Sequence, residues 1–118
     1  MIPRRKPKQA KRTSRYRSQK HKIWLRGFEC ADTEVWCDGE TQVAHVRIGS
    51  GAGMGEKPDD WRAVPLCKAC HLDRQHVEGE RTFWADYAKR HGQTVDQLID
   101  DLCRASPCAR EIREHRDA

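Results

Sequence analysis

The chain has 118 residues, which suffices for one small domain and excludes the large scaffolds of many enzymes. Apolar residues make up 36% and charged residues 35%, so the sequence predicts a small core under a highly charged surface. The formal net charge is +5, but residues 1–22 hold ten Lys or Arg and no acidic residue. The remainder holds 13 basic and 18 acidic residues, so the positive charge belongs to the N-terminus.

Residues 1–22 are predicted to form a disordered basic arm, because they contain two prolines and very few apolar side chains. Such a block of like charge favours binding to polyanions, although a tail that only aids solubility is the alternative. The candidate nucleic-acid-binding residues of the arm are Arg4, Arg5, Lys6, Lys8, Lys11, Arg12, Arg15 and Arg17. No apolar run predicts a membrane helix or a signal peptide, so we expect a cytoplasmic protein without a membrane partner.

The segment 40–48 is predicted to contain a strand, because its side chains alternate from Val43 onwards. The alternation places Val43, His45 and Arg47 on one face, and Ala44, Val46 and Ile48 on the apolar face. A glycine-rich loop follows and ends at Lys57. It lacks the Gly-Lys-Ser/Thr of a phosphate-binding loop, so we interpret it as a hairpin connection.

Three helices are predicted in the second half of the chain. A short helix begins at the second cysteine pair and ends near Gly79, a second covers residues 80–91, and a third follows a capping-box pattern at Thr94 and Gln97. Gly92 stands where a C-terminal cap belongs. The predicted folded domain covers residues 23–104, and residues 105–118, split by Pro107, are expected to fray.

Four of the six cysteines have the spacing of a zinc site. Six residues separate Cys30 from Cys37, two separate Cys67 from Cys70, and about thirty lie between the pairs. Four thiolates around one ion leave no position for water, so the expected zinc is structural. Buried thiols or a redox pair are the alternatives. Cys103 and Cys108 lie beyond this unit and are expected to be unligated thiols.

Three of the six histidines lie near this cysteine framework. His45 is on the predicted strand, His71 directly follows the second cysteine pair, and His76 comes five residues later. Residues five apart on an α-helix point in different directions, so His71 and His76 can share an ion only if the helix ends or tightens. The remaining three, His21, His91 and His115, are expected to be exposed.

The order of these motifs resembles the zinc-stabilised HNH nucleases, which are also called ββα-metal fingers. More closely, the chain is similar to phage and prophage HNH proteins related to the recombination-enhancement nuclease Ref. The similarity covers roughly residues 28–90. The residues that carry it are Ala44-His45-Val46-Arg47, the glycine-rich loop with Lys57-Pro58-Asp59-Asp60, Val64-Pro65-Leu66-Cys67-Lys68-Ala69-Cys70-His71, and Gly79-Glu80 before Phe83-Trp84.

The resemblance implies a small α+β domain, a treble-clef-like ββα-metal finger with further C-terminal helices. It implies an endonuclease that hydrolyses DNA phosphodiesters, with His45 as general base and a catalytic Mg²⁺, Mn²⁺ or Zn²⁺ ion held by His71. Arg47, two residues after His45 on the same face, is the candidate phosphate clamp, and a plain surface arginine is the alternative. The implied partners are DNA and a recombinase in a bacterial host cell, without a small-molecule cofactor.

The chain departs from the family pattern at the metal shell. Ala44 replaces the usual carboxylate before the base histidine, and the sequence contains no asparagine. His76 is our first choice to complete the shell, followed by Asp59, Asp60 or Glu78. These departures favour the alternative function, a non-catalytic zinc module that binds nucleic acid or serves as a recombination accessory.

Overall fold

The computed structural model describes residues 2–4, 15–33, 37–53 and 55–118. Within these ranges, four α-helices, a π-helix, a short 3-10 helix and a two-stranded antiparallel sheet form a small α+β fold, which confirms the predicted class. The elements in chain order are α1 (Gln19–Arg26), β1 (Thr41–His45), a short 3-10 helix (Asp60–Arg62), β2 (Ala63–Cys67), a π-helix (Ala69–His76), α2 (Glu80–His91), α3 (Val95–Ala105) and α4 (Ala109–Asp117).

The strand predicted within residues 40–48 is present as β1, but it ends at His45. It pairs with β2 so that Thr41 lies opposite Cys67 and His45 lies opposite Ala63. The predicted faces are confirmed, since Ala44 is buried whereas His45 is only half-buried. Beyond the end of β1, the Arg62 side chain binds the following segment by donating hydrogen bonds to the carbonyl oxygens of Val46 and Ile48.

The core lies between the sheet and the C-terminal helices. All five residues of β2 are buried, and α2 adds the side chains of Phe83, Trp84 and Tyr87. The predicted C-terminus of α2 and the predicted N-terminus of α3 are confirmed. Gly92 adopts the left-handed conformation after α2, with φ of 65°, and the Thr94 capping box begins α3.

Residues 15–22 are folded, although the sequence assigned them to the disordered arm. Ser18 caps α1, with its Oγ accepting a hydrogen bond from the His21 backbone N–H at 3.1 Å. His21 was expected at the surface, but it is fully buried and its Nδ1 lies 2.8 Å from Ser106 Oγ. His21 and Leu25 are four residues apart and form one buried face of the helix. The many charged residues around them make this face difficult to recognise from the sequence.

The C-terminal residues 105–118 were expected to fray, but they form α4. Ile112 is 1% exposed, and Cys108 is also buried. Pro107 precedes the helix, where a proline does not interrupt helical hydrogen bonds. A single apolar side chain inside α4 gives too weak a periodic pattern for the sequence to predict a packed helix.

None of the helices in the described part of the chain is both long enough and apolar enough to cross a membrane.

The packing of α4 can be tested with Ile112→Ala. Removing this buried side chain should lower the free energy of unfolding by about 2–5 kcal/mol, because it leaves a cavity in the core. Urea unfolding followed by circular dichroism measures the change. The exposed neighbour Arg113 supplies the control, because Arg113→Ala should change stability by less than about 0.5 kcal/mol. Equal stability of the two variants would show that α4 does not pack on the core.

Candidate functional site

Four cysteine side chains meet at one point of the fold. The sulfur atoms of Cys30, Cys37, Cys67 and Cys70 all lie within 4.8 Å of one another. Cys67 ends β2 and Cys70 lies in the first turn of the π-helix, while Cys30 and Cys37 belong to the connection between α1 and β1. The predicted clustering of these four residues is therefore confirmed, and the cluster could hold a metal ion such as zinc.

The distances between the sulfur atoms fit a tetrahedral ion. Zinc–sulfur bonds of about 2.3 Å place neighbouring sulfurs about 3.8 Å apart in a tetrahedron. The Sγ atoms of Cys37 and Cys70 are 3.8 Å apart. None of the cysteines in the described residues forms a disulfide, and Cys103 and Cys108 lie outside the cluster, as expected.

Backbone N–H groups are directed at the cluster. The N–H of Cys70 lies 3.4 Å from Cys67 Sγ. Burial raises the pKa of the Cys67 thiol, but hydrogen bonds from the N–H groups of Cys70 and Asp38 outweigh this effect and lower its pKa. Burial raises the pKa of the Cys30 thiol to about 11. A bound cation would offset that cost, since a metal-coordinating thiol is deprotonated.

A buried carboxylate, Asp32, connects the cysteine cluster to the helices. It accepts hydrogen bonds from Arg74 at 2.7 Å, Arg90 at 2.6 and 2.8 Å, and His91 at 2.7 Å. Burial alone would raise the pKa of Asp32, but these three partners lower it to about 2. The same Arg74 Nη1 lies 3.6 Å from Cys70 Sγ, so one guanidinium contacts both the carboxylate and the sulfur cluster.

Beside the cluster lies a cleft of about 700 Å³, which we call the histidine cleft. His45, His71 and His76 all line it. The sequence predicted that the imidazoles of His45 and His71 share one cavity, and this is confirmed. The remaining residues that line the cleft are Lys22, Arg26, Glu40, Thr41, Gln42, Val43, Arg47, Gly55, Glu56, Lys57, Pro58, Gln75, Gly79 and Glu80.

His45 is oriented by a buried carboxylate. Its Nε2 lies 2.9 Å from Oδ1 of Asp60, whose side chain is completely buried. Asp60 also accepts a hydrogen bond from the Ser18 N–H at 2.8 Å, and Lys22 Nζ lies 4.0 Å from it. Burial lowers the pKa of His45, and Asp60 opposes that shift only in part. A neutral His45 that donates its Nε2 proton to Asp60 keeps the Nδ1 lone pair for accepting a proton.

The π-helix brings His71 and His76 to the same cleft. In a π-helix the hydrogen bonds run from residue i to i+5, so side chains five apart lie about one turn above each other. An α-helix would have separated them. Burial lowers the pKa of His71, and the charges of His76 and His45 lower it further.

Gln42 orients His71 through a hydrogen bond of 2.9 Å between its Oε1 and Nδ1 of the imidazole. A proton on Nδ1 leaves Nε2 with the lone pair that a metal ion binds. No second group of three or more His, Cys, Asp or Glu ligands converges within the described residues. His71 and His76 line the cleft together with Glu40, Glu56 and Glu80.

The other carboxylates considered for the metal shell have different roles or positions. Asp60 binds His45, and Asp59 accepts hydrogen bonds from the Tyr16 N–H at 2.7 Å and from Arg15. Glu78 is exposed.

Arg47 lines the histidine cleft, but its guanidinium is bound to the glycine-rich loop. It donates hydrogen bonds to the carbonyl oxygens of Gly53 at 2.8 Å and Glu56 at 3.1 Å. The carboxylate of Glu80 accepts from the backbone N–H groups of Arg47 and Ile48, each at 2.9 Å. These contacts give Arg47 a structural role in holding the loop, and its role as a phosphate clamp stays a prediction.

The residues of the basic arm fall into three groups. Arg4 is exposed. Arg15 pairs with Glu56 and Asp59, and Arg17 donates to the carbonyl oxygens of Lys57 and Pro58, so both contact the fold itself. The remaining candidates lie outside the described residues, namely Arg5, Lys6, Lys8, Lys11 and Arg12.

Sequence analysis missed the orienting partners of the two central histidines. Asp60 was considered as a metal ligand and not as the partner of His45, and Gln42 was not considered at all. His45 and Asp60 are fifteen residues apart, and His71 and Gln42 are separated by twenty-nine. Asp60 lies just before β2 and His71 just after it, so the pairing of β1 with β2 brings each of them close to its partner on β1. No local sequence pattern predicts that pairing.

Comparisons of the chain with protein-family models, with curated proteins and with solved structures gave no match.

The metal-binding capacity of the cysteine cluster can be tested with Cys67→Ser. We expect the purified wild-type protein to carry one equivalent of zinc, and the variant to lose both the metal and its helical circular dichroism. Zinc binding contributes about 10–16 kcal/mol in small zinc domains, as much as the whole stability of a domain this size. Elemental analysis and circular dichroism measure the two effects.

The matched control for this experiment is Cys103→Ser. Cys103 lies outside the cluster and its Sγ donates to the Trp61 carbonyl oxygen at 3.4 Å, a bond that a serine hydroxyl can replace. This variant should retain zinc. A Cys67→Ser protein with full zinc content and unchanged helical signal would contradict the assignment.

The contact between Asp60 and His45 predicts a measurable change in titration. His45 should titrate below the usual value of about 6.5. Its neutral form therefore contributes stability that is present above about pH 6.5 and is lost as the pH falls toward the folded-state pKa. Asp60→Asn removes the negative charge that opposes this shift, so the pKa of His45 should fall further. NMR titration of the imidazole ring protons measures both values.

The exposed Asp117 gives the control for this titration, since Asp117→Asn removes the same charge far along the chain from His45. The His45 pKa should be the same in this variant and the wild type. A higher or unchanged His45 pKa in Asp60→Asn would show that the carboxylate does not interact with the imidazole.

Proposed function

We propose that the protein is a metal-dependent DNA endonuclease of the HNH type, built on a treble-clef-like ββα fold. The observation that supports this proposal is the histidine cleft, where His45, oriented by Asp60, lies together with His71 and His76. A phosphodiester is a stable anion, and its hydrolysis needs a base for the attacking water and positive charge for the transition state. The cleft offers candidates for both.

His45 would act as the general base. Its lowered pKa keeps the imidazole neutral at physiological pH, so it can take the proton of a water molecule through Nδ1. The Asp60 carboxylate would hold the ring in one orientation and stabilise the imidazolium that forms when the proton arrives. Asp60 itself is held by the Ser18 N–H and by Lys22, so it keeps its position through this step.

His71 and His76 would hold the divalent ion, Mg²⁺, Mn²⁺ or Zn²⁺. Two protein ligands leave the remaining positions to water and to oxygens of the substrate, and imidazole nitrogens as ligands suit Zn²⁺ better than Mg²⁺. Bound there, the ion would supply charge stabilisation for the transition state and the leaving oxygen. Gln42 would fix the tautomer and orientation of His71.

The four-cysteine cluster would hold a structural zinc ion in this proposal. Four thiolates fill a tetrahedral shell, so the cluster would stabilise the fold and take no part in the reaction. By connecting the segment before β1 to the end of β2, it would hold β1, which carries both Gln42 and His45, against β2.

The basic arm would bind DNA through its positive charge. The resemblance to phage and prophage proteins suggests a role in recombination in the bacterial cytoplasm, with a recombinase as partner. Because residues 15–22 belong to the fold, this role falls to residues 1–14. These residues hold six of the ten cations of the predicted arm.

The alternative is a non-catalytic zinc module that binds nucleic acid or assists recombination. It is favoured by the ligand set, because no third protein ligand joins His71 and His76 within the described residues. Such a module does not need a base in its cleft, so the catalytic contribution of His45 separates the two functions.

The nuclease proposal predicts that His45→Ala slows plasmid nicking. With Mg²⁺ or Mn²⁺ present, wild-type protein should convert supercoiled plasmid to the nicked form, and the variant should be about 10²–10⁴-fold slower, as is typical when a general base is lost. Gel electrophoresis of a time course measures the rates.

His91→Gln is the matched control, because His91 binds Asp32 and does not line the histidine cleft. Its nicking rate should stay near that of the wild type. If His45→Ala cuts as fast as wild type, or if the wild-type protein cuts with none of Mg²⁺, Mn²⁺ and Zn²⁺, the nuclease proposal is wrong and the binding module is the better account.

A further inference from the structure

The histidine cleft contains four permanently charged cations, and two of them are already engaged. Arg47 donates to the carbonyl oxygens of Gly53 and Glu56, and Lys22 lies 4.0 Å from the Asp60 carboxylate. Arg47 therefore already binds the glycine-rich loop, and Lys22 already lies beside Asp60, the partner of His45.

The other two cations, Arg26 and Lys57, are exposed and line the same cleft. Neither side chain has a hydrogen bond or an ion pair with any residue that the structure describes. Arg26 lies in the last turn of α1, and Lys57 lies in the loop that leads to Asp60. Two cations from separate elements thus offer their charge to the cleft.

Lys57 is also close to the proposed base. The charge of Lys57 contributes to lowering the pKa of His45, as does that of Arg17, whose guanidinium donates to the Lys57 carbonyl oxygen at 2.9 Å. An anion bound by Lys57 would therefore lie in the electrostatic neighbourhood of His45, where a scissile phosphate has to be.

The chemistry of the lining indicates what kind of anion fits. No Phe, Tyr or Trp lines the cleft among the described residues, whereas proteins that bind single strands through their bases use such rings as stacking platforms. Side chains of Arg and Lys bind phosphate oxygens without selecting a base. Three glutamates also line the cleft, but Glu56 pairs with Arg15 and Glu80 accepts from the backbone N–H groups of Arg47 and Ile48, which leaves Glu40. The four cations outnumber the glutamates, so the cleft is suited to the backbone of a nucleic acid.

We infer that Arg26 and Lys57 form a two-point binding site for backbone phosphates on one strand of DNA, and that this site places that strand against His45 without reading its sequence. The inference rests on the proposed function for its substrate class. It assigns binding within the cleft to two residues of the folded domain, in addition to the N-terminal arm.

The test is DNA binding by the full chain at a series of salt concentrations, without Mg²⁺ or Mn²⁺ so that no cleavage is expected. Fluorescence anisotropy with a labelled single-stranded oligonucleotide gives the slope of log affinity against log salt. Each phosphate contact on a single strand contributes about 0.7 to this slope. Arg26→Ala and Lys57→Ala should each flatten it by about 0.7, and the double variant by about 1.4.

Three further variants make the result specific. Lys89→Ala removes an exposed cation of α2 outside the cleft and should leave the slope unchanged. Arg26→Lys and Lys57→Arg keep the charge and should restore the wild-type slope. The loss should also be equal on oligonucleotides of different base composition.

The inference is overturned if the slope is unchanged in the double variant, if Lys89→Ala flattens it equally, or if the loss depends on base composition. His45→Ala should bind with the wild-type slope, which separates binding from catalysis. A protein that shows the expected slopes but never nicks plasmid would retain this binding site and lose the nuclease proposal.

Discussion

The convergence of four sulfur atoms is the constraint on which the rest of the molecule depends. One pair follows α1 and the other spans the end of β2 and the start of the π-helix, so their meeting fixes the two halves of the chain against each other. The hydrophobic core alone is small, because 35% of the residues are charged. In small domains a bound metal commonly compensates for a small core.

The cluster and the histidine cleft share structural elements. The π-helix carries Cys70 and His71 in its first turn and His76 at its end, while β2 ends at Cys67 and pairs with the strand that carries His45. A shift of the sulfur cluster would therefore displace all three imidazoles. Asp60 adds a second link, since it connects His45 to the backbone of Ser18 and so to the beginning of α1.

The features that the sequence predicted correctly are those with a local pattern. The spacing of the cysteines, the alternation around His45 and the capping box at Thr94 each depend on residues close in the chain. The pairs His45–Asp60 and His71–Gln42 depend on sheet pairing, which no local spacing reveals. Helices α1 and α4 were missed because charged side chains surround the few buried ones, His21, Leu25 and Ile112. Tertiary contacts stabilise such helices more than their own composition does.

Because the segment from Ala69 to His76 is π-helical, its two imidazoles lie on one side of the helix although they are five residues apart. Deleting one residue between them would restore α-helical hydrogen bonding and leave the histidines four apart, which again places them on one side of a helix. Two histidines separated by three residues in an α-helix, or by four residues in a π-helix, thus present equivalent pairs of nitrogen donors. Distant homologues could therefore differ in this spacing and still keep the same pair.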